Sequence, residues 1–141
     1  MTEYHVCVKC ELNNRLGVIG YMRYCSSTSP VVTKLTIGMS RARCEMYAVV
    51  AVLKYATYNW HQSLIIYTNS RNIENLFLNR SKAKENIHKE FYTALDQCNG
   101  NVTIKHMSSV KKNSEIMKHH QIVNKAIKKR FKKELNKIRD D

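Results

Sequence analysis

Leu64-Ile65-Ile66-Tyr67-Thr68-Asn69-Ser70 is the stretch that decides how this chain is read. Leu64 to Thr68 is too short and too rich in β-branched residues for a helix. Its unbroken apolar run suits a strand covered on both faces, as strands of a parallel sheet are. The run stops on a polar Asn69-Ser70 step, and Ser70 suits the cap of a following short helix through Leu78. About one helix upstream, Arg43-Cys44-Glu45-Met46-Tyr47-Ala48 places one acid at the start of an apolar helix. Together the two stretches deliver polar side chains to one edge of a sheet.

Residues 4–10 alternate towards Val6, Val8 and Cys10, as a strand half-buried on each face does. Asn13-Asn14 signals a turn, and residues 16–25 read as a second strand in which Gly17 and Gly20 allow close approach. Ser26 to Pro30 is a polar turn, and Val31 to Met39 is a third β-rich run. Short loops between the three imply an antiparallel meander. The period then changes: over residues 43–58, Met46, Val49, Val50, Leu53 and Ala56 share one helical stripe, with Ser40 as the start signal. Trp60 to Ser63 breaks the helix. Beyond the strand at 64–68, residues 82–98 form an amphipathic helix with Ile87, Phe91, Ala94 and Leu95 on its apolar side. Asn99-Gly100-Asn101 stops it, and Val102 to Met107 is a fifth strand. Ser108 to Ser114 reads as a loop. A basic helix over about 115–138 follows, with Ile116, Ile122, Val123, Ala126, Ile127, Phe131, Leu135 and Ile138 as its apolar positions. The order β-β-β-α-β-α-α-β-α, with no internal repeat and no linker, predicts one α/β domain over 1–141. Its sheet is five-stranded and mixed, with helices on both faces.

The composition agrees with a single folded domain: 141 residues, 43% hydrophobic and 25% charged. No apolar run approaches the ~20 residues of a membrane helix, and Met-Thr-Glu-Tyr-His lacks the character of a signal peptide, so a soluble intracellular protein is expected. Twenty-four Lys and Arg against 11 Asp and Glu leave a net charge of +13. Such a field attracts phosphate backbones or another acidic partner. Lys125, Lys128, Lys129, Arg130, Lys132, Lys133, Lys137 and Arg139 concentrate it in the final helix. Five cysteines at 7, 10, 25, 44 and 98, an odd number among apolar neighbours, argue against a secreted disulfide framework. Cys7-Val8-Lys9-Cys10 has thiol-motif spacing but no second pair, and reads as buried structural thiols. His106, His119 and His120 lack a cysteine or acid at ligand spacing, so no metal site is read from them.

The element order, joined to particular residues, resembles the ribonuclease H family. Ser40-Arg41-Ala42-Arg43-Cys44-Glu45-Met46-Tyr47-Ala48 is similar to that family's Asn-Asn-Arg-Met-Glu-Leu-x-Ala helix entry. Tyr67-Thr68-Asn69-Ser70 is similar to its Thr-Asp-Ser strand end, and Gly17 to Tyr24 to its glycine-rich second strand. The likeness is good at residue level from 40 to 73 and weaker outside. It implies a site where four carboxylates hold two Mg²⁺ ions. Carried over one position at a time, the first-strand acid falls at Lys9, or one register step away at Cys10, with Glu11 the nearest carboxylate. The helix acid matches Glu45. The strand-end acid matches Asn69, an amide. The last-helix acid falls within Lys118-His119-His120-Gln121, which holds no carboxylate. Glu45 alone is retained, and one carboxylate with one amide cannot hold two hard cations. A pseudoenzyme without metal or other cofactor is expected.

The resemblance also implies polar contacts to an RNA/DNA hybrid at the helix entry and after the strand end. Those positions carry Arg41, Ala42 and Arg71, which exchanges base-edge hydrogen bonding for phosphate attraction. Nucleic acid, whether RNA, DNA or hybrid, is therefore the expected partner. The candidate binding residues are Arg41, Arg43, Arg71, Lys111, Lys112, Lys125, Lys128, Lys129, Arg130, Lys132 and Lys133, with Lys82, Lys84 and Lys89 as further cations. Two alternatives stand beside this one. The first is a scaffold subunit meeting an acidic protein or a ribonucleoprotein assembly. The second is an active Mg²⁺ nuclease with Glu11, Glu45 and Glu115 around one ion and Asn69 as a neutral ligand.

Overall fold

A computed structural model describes residues 2–11, 13, 15–56, 63–80, 86–98 and 101–140. Strands β1 (Thr2–Glu11), β2 (Leu16–Cys25), β3 (Ser27–Thr28) and β4 (Val32–Ile37) come first. Helix α1 (Arg41–Ala56), strand β5 (Leu64–Thr68), and helices α2 (Arg71–Leu78) and α3 (Asn86–Gln97) follow. Strand β6 (Val102–His106), a short turn of 3-10 helix (Met107–Ser109) and helix α4 (Glu115–Asp140) complete the chain. The mixed sheet runs β3-β2-β1-β5-β6, with β4 also on β2. β2 pairs antiparallel with β1 and β4, whereas β5 runs parallel to both β1 and β6.

The third β-rich run, expected over 31–39, is half of a broken edge. Both β3 and β4 pair with β2, the first at Tyr24 and Cys25 and the second along Leu16 to Tyr21. Ser26, the one residue between β2 and β3, takes a positive φ of 64° and turns the chain back on β2. Ser29 ties the gap closed, its N–H donating to the Arg23 carbonyl at 2.8 Å and its hydroxyl accepting from the Arg23 N–H at 3.0 Å. Pro30 has no N–H to add to a ladder, which suits a break at this point. The sheet is thus five ribbons wide, the outer one in two pieces.

Helix starts follow their caps. The Ser40 hydroxyl accepts from the Arg43 N–H at 3.3 Å and opens α1; the Ser70 hydroxyl accepts from Ile73 N–H at 3.2 Å and opens α2. The expected stripe of α1 (Met46, Val49, Val50, Leu53, Ala56) is buried throughout. It packs with Phe91 and Ala94 of α3 against Tyr4, Val6, Ile19, Leu64, Ile66 and Ile104 on one face of the sheet. On the other face Val123, Ile127 and Phe131 of α4 cover Cys7, Leu16, Val18 and Met22. Two residues expected on the apolar side of α4 are exposed: Ile122 (43%) and Ile138 (53%). The buried stripe begins instead with His119 and His120, so the polar residues, not Ile122, take the inward positions of the first turns. The Trp60-His61-Gln62 break, the first residues of the expected 82–98 helix and Asn99-Gly100 lie outside the described residues.

Gly20 stands where α4 crosses β2. A Cβ there would come within 2.4 Å of Ile127 Cγ2 and 3.4 Å of Val123 Cγ1. Both contacts lie close to the helix backbone, so the helix itself has to shift. Gly20→Ala is expected to destabilise the fold by about 1–3 kcal/mol, the usual range for overpacking. Urea denaturation checks this; a midpoint unchanged from the parent would show that α4 does not rest on β2 in this way.

Candidate functional site

Strand alternation sends Glu3, His5, Cys7 and Lys9 of β1 to the α4 side of the sheet, while Tyr4, Val6 and Val8 pack on the α1 side. The parallel register sets His5 opposite Tyr67. Two residues further along each strand, Cys7 comes level with Asn69. α4 then lowers His120 between them. Its Nε2 lies 3.0 Å from Asn69 Nδ2 and 3.3 Å from Cys7 Sγ. Its Nδ1 lies 3.1 Å from His5 Nδ1, and His5 Nε2 lies 2.8 Å from Glu3 Oε1. His119 Nδ1 reaches the same Glu3 oxygen at 2.6 Å.

These contacts assign the protons. Asn69 Nδ2 only donates, so His120 Nε2 accepts and its proton sits on Nδ1. That proton is donated to His5 Nδ1, which leaves His5 protonated on Nε2 and donating to Glu3. His119 Nδ1 is the second donor to Glu3. The result is a continuous chain of neutral imidazoles running from the Asn69 amide to a carboxylate. The energetics agree. Burial, and then the neighbouring His5, push the His120 pKa down to about 4. Burial also lowers His5, against the opposing pull of Glu3. For Glu3, burial raises the carboxyl, but hydrogen bonds from His5 and His119 outweigh it and hold the group below its ordinary value. Burial lifts the Cys7 thiol to about 12, so it is no nucleophile.

Asn69 is clamped a second time through its backbone. His106 Nδ1 accepts from the Ser108 N–H at 3.0 Å, so its Nε2–H donates to the Asn69 carbonyl at 2.9 Å. Glu45, half-buried at the start of α1, has its carboxyl raised by burial, with Arg41 and His106 pulling the other way.

The first-strand position beside Asn69 is Cys7, not Lys9 or Cys10. Lys9 pairs with Glu11 at 3.0 Å and lies over the Phe131 ring. Cys10 faces away and reaches the Met39 carbonyl. Glu11, Glu45 and Glu115 do not converge: Glu11 bonds Lys9, and Glu115 bonds Lys118. Among the described residues one group of three possible metal-ligating side chains brings its ligand atoms within 4.8 Å of one another, Glu3, His5 and His119. Glu3 and His5 carry no signal of a site in the sequence. They stand more than 110 residues from their partner, at the head of a strand read for its apolar face alone.

Of the candidate cations, Arg41, Arg43, Arg71, Lys111, Lys112, Lys125, Lys128, Lys129, Lys132 and Lys133 are exposed. Arg41 and Arg43 open α1 and Arg71 opens α2, whereas the α4 lysines line its outer side. Lys89 is exposed on α3, and lysines 82 and 84 lie outside the described residues. Arg130 is the exception. Its guanidinium donates to Glu134 at 2.9 Å and to Thr33 at 3.0 Å, which pins α4 to β4.

No family profile and no curated protein matches the chain by sequence. Solved structures do match. The prototype foamy virus protease-reverse transcriptase superposes with a TM-score of 0.70 at 11% identity, over 91% of this chain and 20% of that one, so this chain spans about a fifth of that protein. LC11-RNase H1, isolated from compost, superposes at 0.67 with 14% identity over 91% of this chain and 96% of its own. In its complex with an RNA/DNA hybrid the values are 0.66, 16%, 92% and 98%. The chain has the ribonuclease H-like fold. The residues gathered at Asn69 do not fit the two Mg²⁺ ions of ribonuclease H chemistry. A neutral thiol, a neutral imidazole and an amide that donates its hydrogens are poor ligands for a hard cation, and Glu45 is one carboxylate where several are needed.

The histidine chain makes stability depend on pH. His120 has a folded pKa below its ordinary 6.5. Between the two values the unfolded chain binds more protons, so stability rises with pH from about 4 to about 6.5 and is lost as pH falls through that window. Glu3, lowered from 4.5, acts in the same direction at more acid pH. Urea denaturation in chelator across pH 4–7 is expected to show a rise of roughly 3 kcal/mol. His120→Gln is expected to remove most of that rise, and an equal slope in both proteins would refute the assignment.

Proposed function

We propose that this chain is a catalytically inactive ribonuclease H-like module that binds nucleic acid through its basic surface. The observation that carries the reading is the triad of Cys7, Asn69 and His120 at the edge where ribonuclease H chemistry needs carboxylates. The three satisfy one another by hydrogen bonds and place no net charge there. Among the described residues the one cluster of three possible metal ligands, Glu3, His5 and His119, does not include Glu45, and two bridging ions need several carboxylates around it.

Binding survives the loss of catalysis because the two draw on different residues. Phosphate contacts require only exposed cations, and affinity accrues with the number of phosphates neutralised. Arg41, Arg43 and Arg71 stand at helix starts, where the positive end of the helix dipole adds to their attraction for anions. Lys125, Lys128, Lys129, Lys132 and Lys133 form a second cationic surface on α4. Structural neighbours include an RNase H1 and a foamy viral protease-reverse transcriptase, each in complex with an RNA/DNA hybrid, which supports nucleic acid as the partner class. The cations here carry no base-edge code, so the reading favours backbone attraction over sequence recognition.

Two assays test this. Incubation with labelled RNA/DNA hybrid and Mg²⁺ or Mn²⁺ is expected to leave the substrate intact; cleavage that disappears in Glu45→Gln would overturn the inactive assignment. Fluorescence anisotropy on RNA, DNA and hybrid is expected to show binding that weakens steeply with salt. Replacing Lys128, Lys129, Lys132 and Lys133 with Ala should flatten the slope of log K against log salt by about 0.7–0.9 for each phosphate no longer neutralised. Absence of binding at low salt would sink the proposal.

A further inference from the structure

Glu3, His5 and His119 are not members of the Cys7–Asn69–His120 triad, though His5 is hydrogen-bonded to its His120. Two imidazole nitrogens converge on one carboxylate oxygen, His5 Nε2 at 2.8 Å and His119 Nδ1 at 2.6 Å. His5 has no exposed side-chain surface, while His119 (11%) and Glu3 (15%) form a narrow opening to solvent. Each ring is held in place from behind. Tyr67 stacks on His5 with centroids 5.1 Å apart, and Tyr24 stacks on His119 at 4.1 Å. His5 Nδ1, the nitrogen turned away from the carboxylate, already has a hydrogen-bonding partner in His120. Orienting partners behind a ligating imidazole are what a metal site requires.

We propose that Glu3, His5 and His119 form a structural site for a zinc-class divalent ion that fastens α4 to β1. Two imidazoles and a carboxylate suit Zn²⁺ and not the hard ions Mg²⁺ or Ca²⁺. The fourth position faces the opening and falls to water. Ligand bonds of about 2.0–2.2 Å in tetrahedral geometry set neighbouring donor atoms about 3.3 Å apart. The two hydrogen bonds therefore open by about 0.5–0.7 Å, which side-chain rotation supplies. The ion takes the place of two protons on the nitrogens it meets. The His5 proton moves from Nε2 to Nδ1 and is donated to His120, whose own proton moves to Nε2. The Asn69 amide then turns its oxygen to accept that proton. His119 likewise carries its proton on Nε2. His5 and His120 release no proton; each proton has shifted across its ring.

The site couples the ends of the chain. β1 supplies two ligands and α4 the third, so the ion closes a loop that contains nearly all of the sheet. Binding to the folded state alone raises its stability by mass action.

The test uses the full chain, stripped with chelator and titrated with Zn²⁺ alone. One equivalent is expected to bind and to raise the melting temperature. His119→Gln and Glu3→Gln retain hydrogen-bonding groups but lose a good ligand, and each is expected to weaken Zn²⁺ at least about tenfold. Cys25→Ser, which removes an exposed thiol, should bind as the parent does. Unchanged binding in both ligand variants, or no binding of Zn²⁺ at micromolar concentration, overturns the proposal. Co²⁺ substitution in the unaltered chain decides the matter even where the variants fail to fold. Visible bands of a tetrahedral nitrogen–oxygen site are expected, and a near-ultraviolet thiolate band would assign the ion to cysteine and refute the site.

Discussion

The parallel register of β1 on β5 is the constraint on which the rest of the sheet edge depends. With His5 opposite Tyr67, Cys7 comes level with Asn69, and alternation turns Glu3, His5, Cys7 and Lys9 towards α4. A slip of one residue would exchange that row for Tyr4, Val6 and Val8. The polar chain would then face α1, and the apolar row would meet two histidines. The register is held by burial on both sides: Ile66 (0%) and Leu64 (5%) pack on the α1 face, and Ile65 and Tyr67 on the other. Hydrophobic burial sets where the strands lie, and the polar side chains follow.

Burying so many polar groups brings a second constraint. Each unpaired donor or acceptor in such a place costs ~1–3 kcal/mol. The arrangement meets it in full, since no buried side-chain nitrogen or oxygen among the described residues lacks a partner. His119 and His120 are adjacent on one helix, yet they serve different ends of the chain. His119 closes on Glu3, and His120 bridges His5 to Asn69. Their rings replace apolar residues in the first turns of α4, while Val123, Ile127 and Phe131 carry the hydrophobic packing further along. A polar half and an apolar half of one helix therefore dock on one face of the sheet.

How much of this was legible in the sequence depends on the range of the interaction. β2, β5 and α2, with the caps Ser40 and Ser70, were readable to the residue, because periodicity and capping are local. The broken edge at Ser27–Thr28 was not: two residues carry no period, and β2 alone recruits them. At the site, Glu45 and Asn69 were legible because each sits inside a run with its own signature. The first-strand partner was misplaced at Lys9 because β1 alternates in polarity on its own and holds no marker for how far it slides along β5. Only the pairing of His5 with Tyr67 selects Cys7. Glu3, His5 and His119 stayed hidden for the same reason, as ligand spacing along a sequence cannot reveal residues that meet across 116 positions.

On the proposed reading, a thiol, an amide and an imidazole stand where the family has carboxylates, and this changes what the sheet edge demands of its surroundings. Carboxylates gathered within a few ångströms repel one another and repel phosphates, so a nuclease of this fold needs its cations both to hold the site together and to admit the substrate. Here Cys7 and His120 are neutral around physiological pH, and Asn69 carries no charge at all. Repulsion is gone, and with it the need for an ion to offset it. Arg41 and Arg71 stand at the neighbouring helix starts, with Glu45 on α1 and Glu74 in the first turn of α2 beside them. On that reading, a phosphate backbone approaching that edge would meet these arginines without a bridging metal. On the proposed reading, the loss of the catalytic acids itself turns a metal-dependent surface into one that holds nucleic acid directly.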